Sequence, residues 1–223
     1  MMKKTLVSIA MTSLLATTAF TSMSVSAVEG LSGNAAATSN YLWRGVEQSA
    51  GDSAISGGID YAADSGFYVG TWASSLGGDS YELDLYAGFG GELSDNISYD
   101  VGFIYYAYPD AEGDADFSEV YGSVSFDALT VGLAVLTSSD VDNIDAGDTI
   151  YAHADYTFDL GDELELALHL GSYSGDALGD DEYIDYGVSL SKSGFTFGAS
   201  ATDLDDKAGD LKVYVSYSVD IDL

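Results

Sequence analysis

From Gly30 onward, apolar and polar positions alternate with a period of two and keep doing so to the end of the chain. In the stretch Tyr81 to Phe89, the residues Tyr81, Leu83, Leu85, Ala87 and Phe89 share one face, while Glu82, Asp84, Tyr86 and Gly88 share the other. The same rhythm sets Ile97, Tyr99, Val101, Phe103 and Tyr105 against Ser98, Asp100 and Gly102, and Leu164, Leu166, Leu168 and Leu170 against Glu165, Ala167 and His169. A helix would return an apolar residue every three or four positions, so this alternation specifies strands. Gly, Asp, Asn, Ser and the single Pro109 interrupt it, and the breaks predict twelve strands over 33–43, 53–64, 67–75, 81–93, 97–107, 117–126, 129–138, 149–158, 163–173, 183–191, 195–203 and 211–221.

The connections alternate too. Ser65-Gly66, 94–96, Asp127-Ala128, 159–162 and 192–194 are short; between them lie longer, mostly acidic stretches such as 44–52, 139–148, 174–182 and 204–210. An even strand number with tight turns on one side and long loops on the other predicts an all-β fold: a transmembrane antiparallel up-and-down β-barrel with short periplasmic turns and longer acidic external loops. Strands of about 9–11 residues suit a tilted crossing of a bilayer. A soluble β-sandwich or lipocalin-like barrel also alternates, but its outer face would carry Lys, Glu and Arg. Here the second face is Gly, Ser, Thr, Tyr and single carboxylates, which suits a wet lumen. Phe126, Phe158, Phe195 and Tyr217 near short turns, and Tyr41, Trp43, Trp72 and Tyr105 near long loops, are the expected interface aromatics.

The first residues change the picture in one respect. Lys3 and Lys4 precede a mostly apolar run diluted with Ser and Thr, which ends in the small-x-small pattern Val25-Ser26-Ala27. This reads as a secretory signal peptide over 1–27, leaving 28–223 as a single outer-membrane barrel domain. Beyond that leader only Arg44, Lys192, Lys207 and Lys212 are basic, against 37 acidic residues. Such a chain cannot neutralise phosphates, so nucleic acid is excluded as a partner. With 17 Tyr and 9 Phe it has surface to bury and is not a disordered acidic tail. No cysteine is present, which removes disulfides, thiolate metal sites and thiol nucleophiles.

The segment from Gly33 to Ser75, with "SNYLWRG" and "GGIDY" inside it, followed by "YELDLYAGFGGELSDNISYDVGFIYYAYP", resembles the TorF-type porins of proteobacteria, a group also catalogued as Gcw_chp. The resemblance implies a Gram-negative outer-membrane location and passive diffusion through the barrel, and it implies no catalytic residue. The chain's last residues, alternating through Tyr217, Val219, Ile221 and Leu223, resemble the terminal strand that barrel-assembly machinery handles, except that Leu223 stands where an aromatic is usual.

On the expected lumen face are Asp60, Glu82, Asp84, Asp100, Glu119, Asp155, Glu165 and Asp185, together with Lys212, His153 and His169. That excess of carboxylates predicts a weakly cation-selective path for ions and small hydrophilic solutes. The rival expectation is a structural or adhesive barrel that does not conduct. Arg44 is expected at the lumen mouth, bridging several rim carboxylates, with a gate or constriction charge as the rival expectation. The acidic run Asp140 to Asp148 lacks the oxygen ligand that an EF-hand needs at Ile144, so neither a metal site nor a cofactor is expected. No GxSxG elbow accompanies the serines, and an enzyme is not expected. Besides lipid, solutes and the assembly machinery, the sequence names no partner and sets no oligomeric state.

Overall fold

The alternation is realised almost residue for residue in the computed structural model, which describes residues 29–78, 80–111, 115–178 and 181–223; the leader expected over 1–27 lies outside them. The barrel strands are β1 (Leu31–Thr38) and β4 (Ala54–Ala62) through β14 (Lys212–Asp222); β2 (Leu42–Trp43) and β3 (Val46–Glu47) form a separate small hairpin in the first loop. Between β4 and β14 run β5 (Phe67–Ser75), β6 (Tyr81–Ser94), β7 (Ile97–Ala107), β8 (Phe117–Phe126), β9 (Leu129–Ser139), β10 (Ile150–Asp159), β11 (Glu165–Ser174), β12 (Tyr183–Lys192) and β13 (Phe195–Thr202). A one-turn helix α1 (Asp206–Gly209) lies in the last loop.

Each strand pairs antiparallel with its sequence neighbour, and β1 pairs on its other side with β14, so twelve strands close the barrel and no edge is left. Ala35 shows the closure: it faces Gly57 of β4 and Val219 of β14. Closure satisfies every ladder group without water, the condition for strands to stand in lipid. No helix among the described residues is long and apolar enough to cross a membrane.

The polarity is inside-out. Leu133, Phe197 and Val213 are 54%, 62% and 71% exposed on the outer face, whereas Glu82, Glu119 and Asp185 are only 2%, 1% and 1% exposed inside. A fully exposed Val, Leu, Ile or Phe gains about 1.5–3 kcal/mol on leaving water. A belt of such side chains around a whole barrel therefore fits lipid and not water.

Inward rings lie over inward glycines of the next strand, which explains the glycine-rich second face of the alternation. Gly102 faces Tyr121 across the β7–β8 ladder, and a Cβ on Gly102 would lie 2.5 Å from Tyr121 Cζ. Gly70 with Tyr86, Gly198 with Tyr214 and Gly132 with His153 repeat the arrangement. The first strand departs from expectation. The sequence predicts it over 33–43, but β1 ends at Thr38, and the chain then turns inward.

Candidate functional site: an arginine hairpin in the lumen

The inward turn starts with Ser39 and Asn40 and carries β2 and β3 into the barrel. Trp43 pairs with Val46 and Leu42 with Glu47, so Arg44-Gly45 is a two-residue turn. Both residues have positive φ, 48° and 79°, as a type I′ hairpin requires. Gly45 is needed twice over. Besides its φ, a Cβ there would come within 2.8 Å of Thr202 on β13 and Asp185 on β12.

Local bonds hold the hairpin's base. Asn40 Nδ2 donates to Glu47 Oε1 at 2.6 Å, and the Tyr41 amide donates to Ser49 Oγ at 2.9 Å. The Gln48 amide returns to the Tyr41 carbonyl at 2.8 Å. Its flanks are held by the barrel wall. Tyr41 packs edge-on against Trp72 of β5 and donates through Oη to Glu82 of β6 at 2.8 Å. Trp43 meets Tyr106 of β7, Phe117 of β8 and Tyr173 of β11 edge-on. The hairpin thus touches walls on opposite sides of the lumen.

Arg44 is at its tip. Its Nη1 donates to Glu119 Oε1 at 2.9 Å and its Nη2 to Glu119 Oε2 at 2.6 Å, a two-pronged pair in which both side chains are buried. The guanidinium carbon lies 4.2 Å from the Trp43 ring centroid, 4.3 Å from that of Tyr151 and 4.9 Å from that of Tyr173. Burial disfavours the charged form of Arg44, but the Glu119 carboxylate outweighs it and holds the group above its usual pKa. Tyr41, also outside the barrel strands, is held above its usual value first by burial and then by Glu82.

Sequence expectation needs correction at five positions. Arg44 bridges no set of rim carboxylates; it is buried in the lumen on one carboxylate, because the chain turns inward after Thr38. Tyr41, Trp43 and Trp72 are not at the lipid interface but inside the barrel, the first two on the inward hairpin and the third on the inward phase of β5. Lys212 offers no charge to the lumen acids. Its Nζ donates to the carbonyls of Lys207, Ala208 and Asp210 at 3.3, 2.6 and 3.0 Å and so ties down the last loop.

The other acids fall into two chemically distinct arcs. On β4 to β7, hydroxyls serve them: Asp60 accepts from Tyr86 Oη, and from Asn34 Nδ2 at 3.3 Å, and Asp100 accepts from Tyr68 Oη at 2.7 Å. Asp84 is buried beside Glu82, with its Oδ1 unpartnered among the described residues. On β10 to β12, imidazoles serve them. Asp155 takes His153 Nδ1 and His169 Nδ1, each at 2.6 Å, and His169 Nε2 reaches Asp185 at 2.7 Å. With a carboxylate at each ring nitrogen, His169 satisfies both only as an imidazolium. Neither histidine bonds a serine among the described residues; the hydroxyl at His169 Nε2, 3.0 Å away, is that of Tyr151. Glu165 stands half-buried at the short-turn end of β11, apart from both arcs.

Phe126, Phe158, Phe195 and Tyr217 are exposed on the outer face near short turns. Tyr105 is outward at the long-loop end, bonded through Oη to Asp116 at 2.6 Å. Sequence reading put tyrosine on the lumen face, Tyr86 among it, but named none of Tyr68, Tyr86, Tyr106, Tyr121 and Tyr151 as a site residue. Their signal was phase: Tyr86, for example, alternates in step with Glu82 and Asp84.

A family profile described as "Bacterial protein of unknown function (Gcw_chp)" matches residues 23–220. The chain belongs to the Gcw_chp family. No curated protein matches it. Among solved structures it is similar to the KdgM porin, at 11% identity and TM-score 0.56, covering 86% of this chain and 99% of that one. It is also similar to the KdgM porin in complex with disordered oligogalacturonate, at 10% identity and TM-score 0.54, covering 86% of this Gcw_chp chain and 98% of that one. These likenesses establish the barrel fold.

Proposed function

We propose that this Gcw_chp barrel is an outer-membrane channel for ions and small hydrophilic solutes, weakly selective for cations and narrowed by the hairpin over 42–47. The observation that carries the reading is the inside-out barrel: an apolar outer face around a lumen whose carboxylates outnumber its cations. Oligogalacturonate, the ligand in one KdgM structure, is an acidic sugar chain; a lumen lined with Asp60, Glu82, Asp84 and Asp100 favours solutes of the opposite sign. Export through a leader over 1–27, handling by barrel-assembly machinery and membership of the TorF-type subgroup belong to the same proposal.

A second reading has its own support. The hairpin touches opposite walls, which favours a barrel that does not conduct while the hairpin is docked, with its acidic loops turned to outside partners. Planar-bilayer recordings of the refolded protein under a KCl gradient decide between them. Unitary steps with a reversal potential of cationic sign are expected. Anionic selectivity would remove the charge argument, and the absence of steps would favour the non-conducting barrel.

A further inference from the structure

The surroundings of Arg44 have two parts of different origin. The host belongs to the barrel wall: Glu119 on β8, Tyr151 on β10 and Tyr173 on β11. Bonds that do not involve the hairpin hold each of them. Tyr106 Oη donates to Glu119 Oε2 at 3.4 Å, Tyr151 Oη donates to Asp185 Oδ2 at 3.1 Å, and Tyr173 Oη bonds Thr149 Oγ1 at 3.4 Å. The guest comes from a loop. Arg44 stands on a turn between two short strands whose ladder is the Leu42–Glu47 and Trp43–Val46 pairs, at a left-handed φ that costs a bulky side chain.

The host is selective by its chemistry. A carboxylate fork matches a planar guanidinium with two parallel N–H groups, and the flanking ring faces suit a flat delocalised cation better than a compact ammonium. Two other inward basic groups are already committed: Lys212 is held by loop carbonyls, and His169 by Asp155 and Asp185. If the hairpin withdraws, Glu119 loses its counter-charge and has only water in its place. A solute cation of the same shape reverses that loss, whereas a neutral solute does not. A ligand moves an equilibrium only by its difference in affinity for the two states, and here only a cation has such a difference to offer.

We propose that the Glu119–Tyr151–Tyr173 pocket is a recognition site for a guanidinium-bearing small solute, occupied by the chain's own Arg44 while the hairpin is docked. The proposed channel supplies only the route by which such a solute arrives; binding itself is independent of conduction. Because a tethered group acts at an effective concentration of about millimolar, a free solute competes in about that range.

The test uses the refolded barrel in detergent with Trp72→Phe, which leaves Trp43 as the sole tryptophan. Trp43 emission is titrated with L-arginine, with L-citrulline (planar but uncharged) and with KCl at matched ionic strength. The expected result is a red shift with L-arginine as Trp43 leaves the Tyr106 and Tyr173 rings, with citrulline weaker by about tenfold or more. Glu119→Gln should abolish that preference. As a second measurement, Arg44→Ala in the otherwise native chain should gain thermal stability from L-arginine and not from L-citrulline. Equal responses to arginine and citrulline, a response reproduced by KCl, no response at all, or a preference that survives Glu119→Gln would each overturn the site. Conductance separates the two readings: a conducting barrel without the arginine-specific shift removes only the site, and a specific shift without conductance removes only the channel.

Discussion

Replacing Arg44 with Met keeps apolar contact with the Trp43, Tyr151 and Tyr173 rings but removes the charge opposite Glu119. Breaking one side of a buried ion pair costs about 3–5 kcal/mol, because the remaining charge is stranded. That full cost cannot appear as loss of barrel stability. The hairpin is no part of the barrel ladder: β1 and β4, which flank it, pair with each other as far as Thr38 and Ala54. The molecule can therefore limit its loss by releasing the hairpin and letting water reach Glu119. The substitution should then shift the docked-to-undocked ratio by roughly a hundredfold to a few thousandfold, at 1.36 kcal/mol per factor of ten.

The native chain contains no cysteine, so a single Val46→Cys substitution reports hairpin exposure to a membrane-impermeant maleimide. Adding Arg44→Met should speed labelling by a large factor while the urea midpoint of the barrel, read by circular dichroism, moves little. Changing Glu119→Met as well should recover much of the slow labelling, since no charge is then left unpaired. Unchanged labelling combined with a barrel destabilised by the whole 3–5 kcal/mol would refute the reasoning. It would make the pair part of the wall's own core.

Two further outcomes follow from the barrel itself. Gly102→Val should destabilise by about 1–3 kcal/mol through overpacking, because the new Cβ meets Tyr121 Cζ at 2.5 Å and Tyr68 Oη at 2.9 Å. In urea titrations Tyr121→Ala should relieve part of that loss, and strictly additive effects would contradict the ring-over-glycine account. Leu133→Arg, on the outer face of β9, should cost up to about 2–4 kcal/mol in lipid and much less in a detergent that yields around the charge. Equal loss in both media would argue against a lipid-facing belt.

Strand boundaries were legible because an apolar outer face and a polar inner face impose a strict period of two, and a shift of one residue would turn Leu85 inward and Glu82 outward. The expected ranges 67–75, 97–107 and 117–126 coincide with β5, β7 and β8. The error at the first strand has a physical origin in the same rule. In Ser39 to Trp43, Tyr41 and Trp43 keep the alternating phase, and a ladder on the wall and a hairpin inside the lumen share the period that strand pairing demands. What could have separated them was Arg44-Gly45, a two-residue positive-φ turn between a tryptophan and a valine. Lys212 was illegible for another reason. Its inward phase is correct, but the carbonyls it binds come from a turn whose path no alternation specifies.

The position of the hairpin follows from how the two arcs of acids are neutralised. From β4 to β7, Asp60, Glu82 and Asp100 rely on tyrosine hydroxyls, which solvate a carboxylate without cancelling its charge. From β10 to β12, Asp155 and Asp185 share His169, whose two nitrogens face both of them. Glu119 on β8 falls between the arcs, with one hydroxyl 3.4 Å away and no imidazole in contact among the described residues. A carboxylate so buried needs a cation that reaches it from off the wall. The loop after β1 supplies that cation from a hairpin tip, so the chain's lone arginine is tied to an element that can leave the lumen without breaking a barrel strand pair. Any event that neutralises Glu119 by other means, a substitution or a bound solute cation, should therefore act first on the hairpin and only afterwards on the barrel.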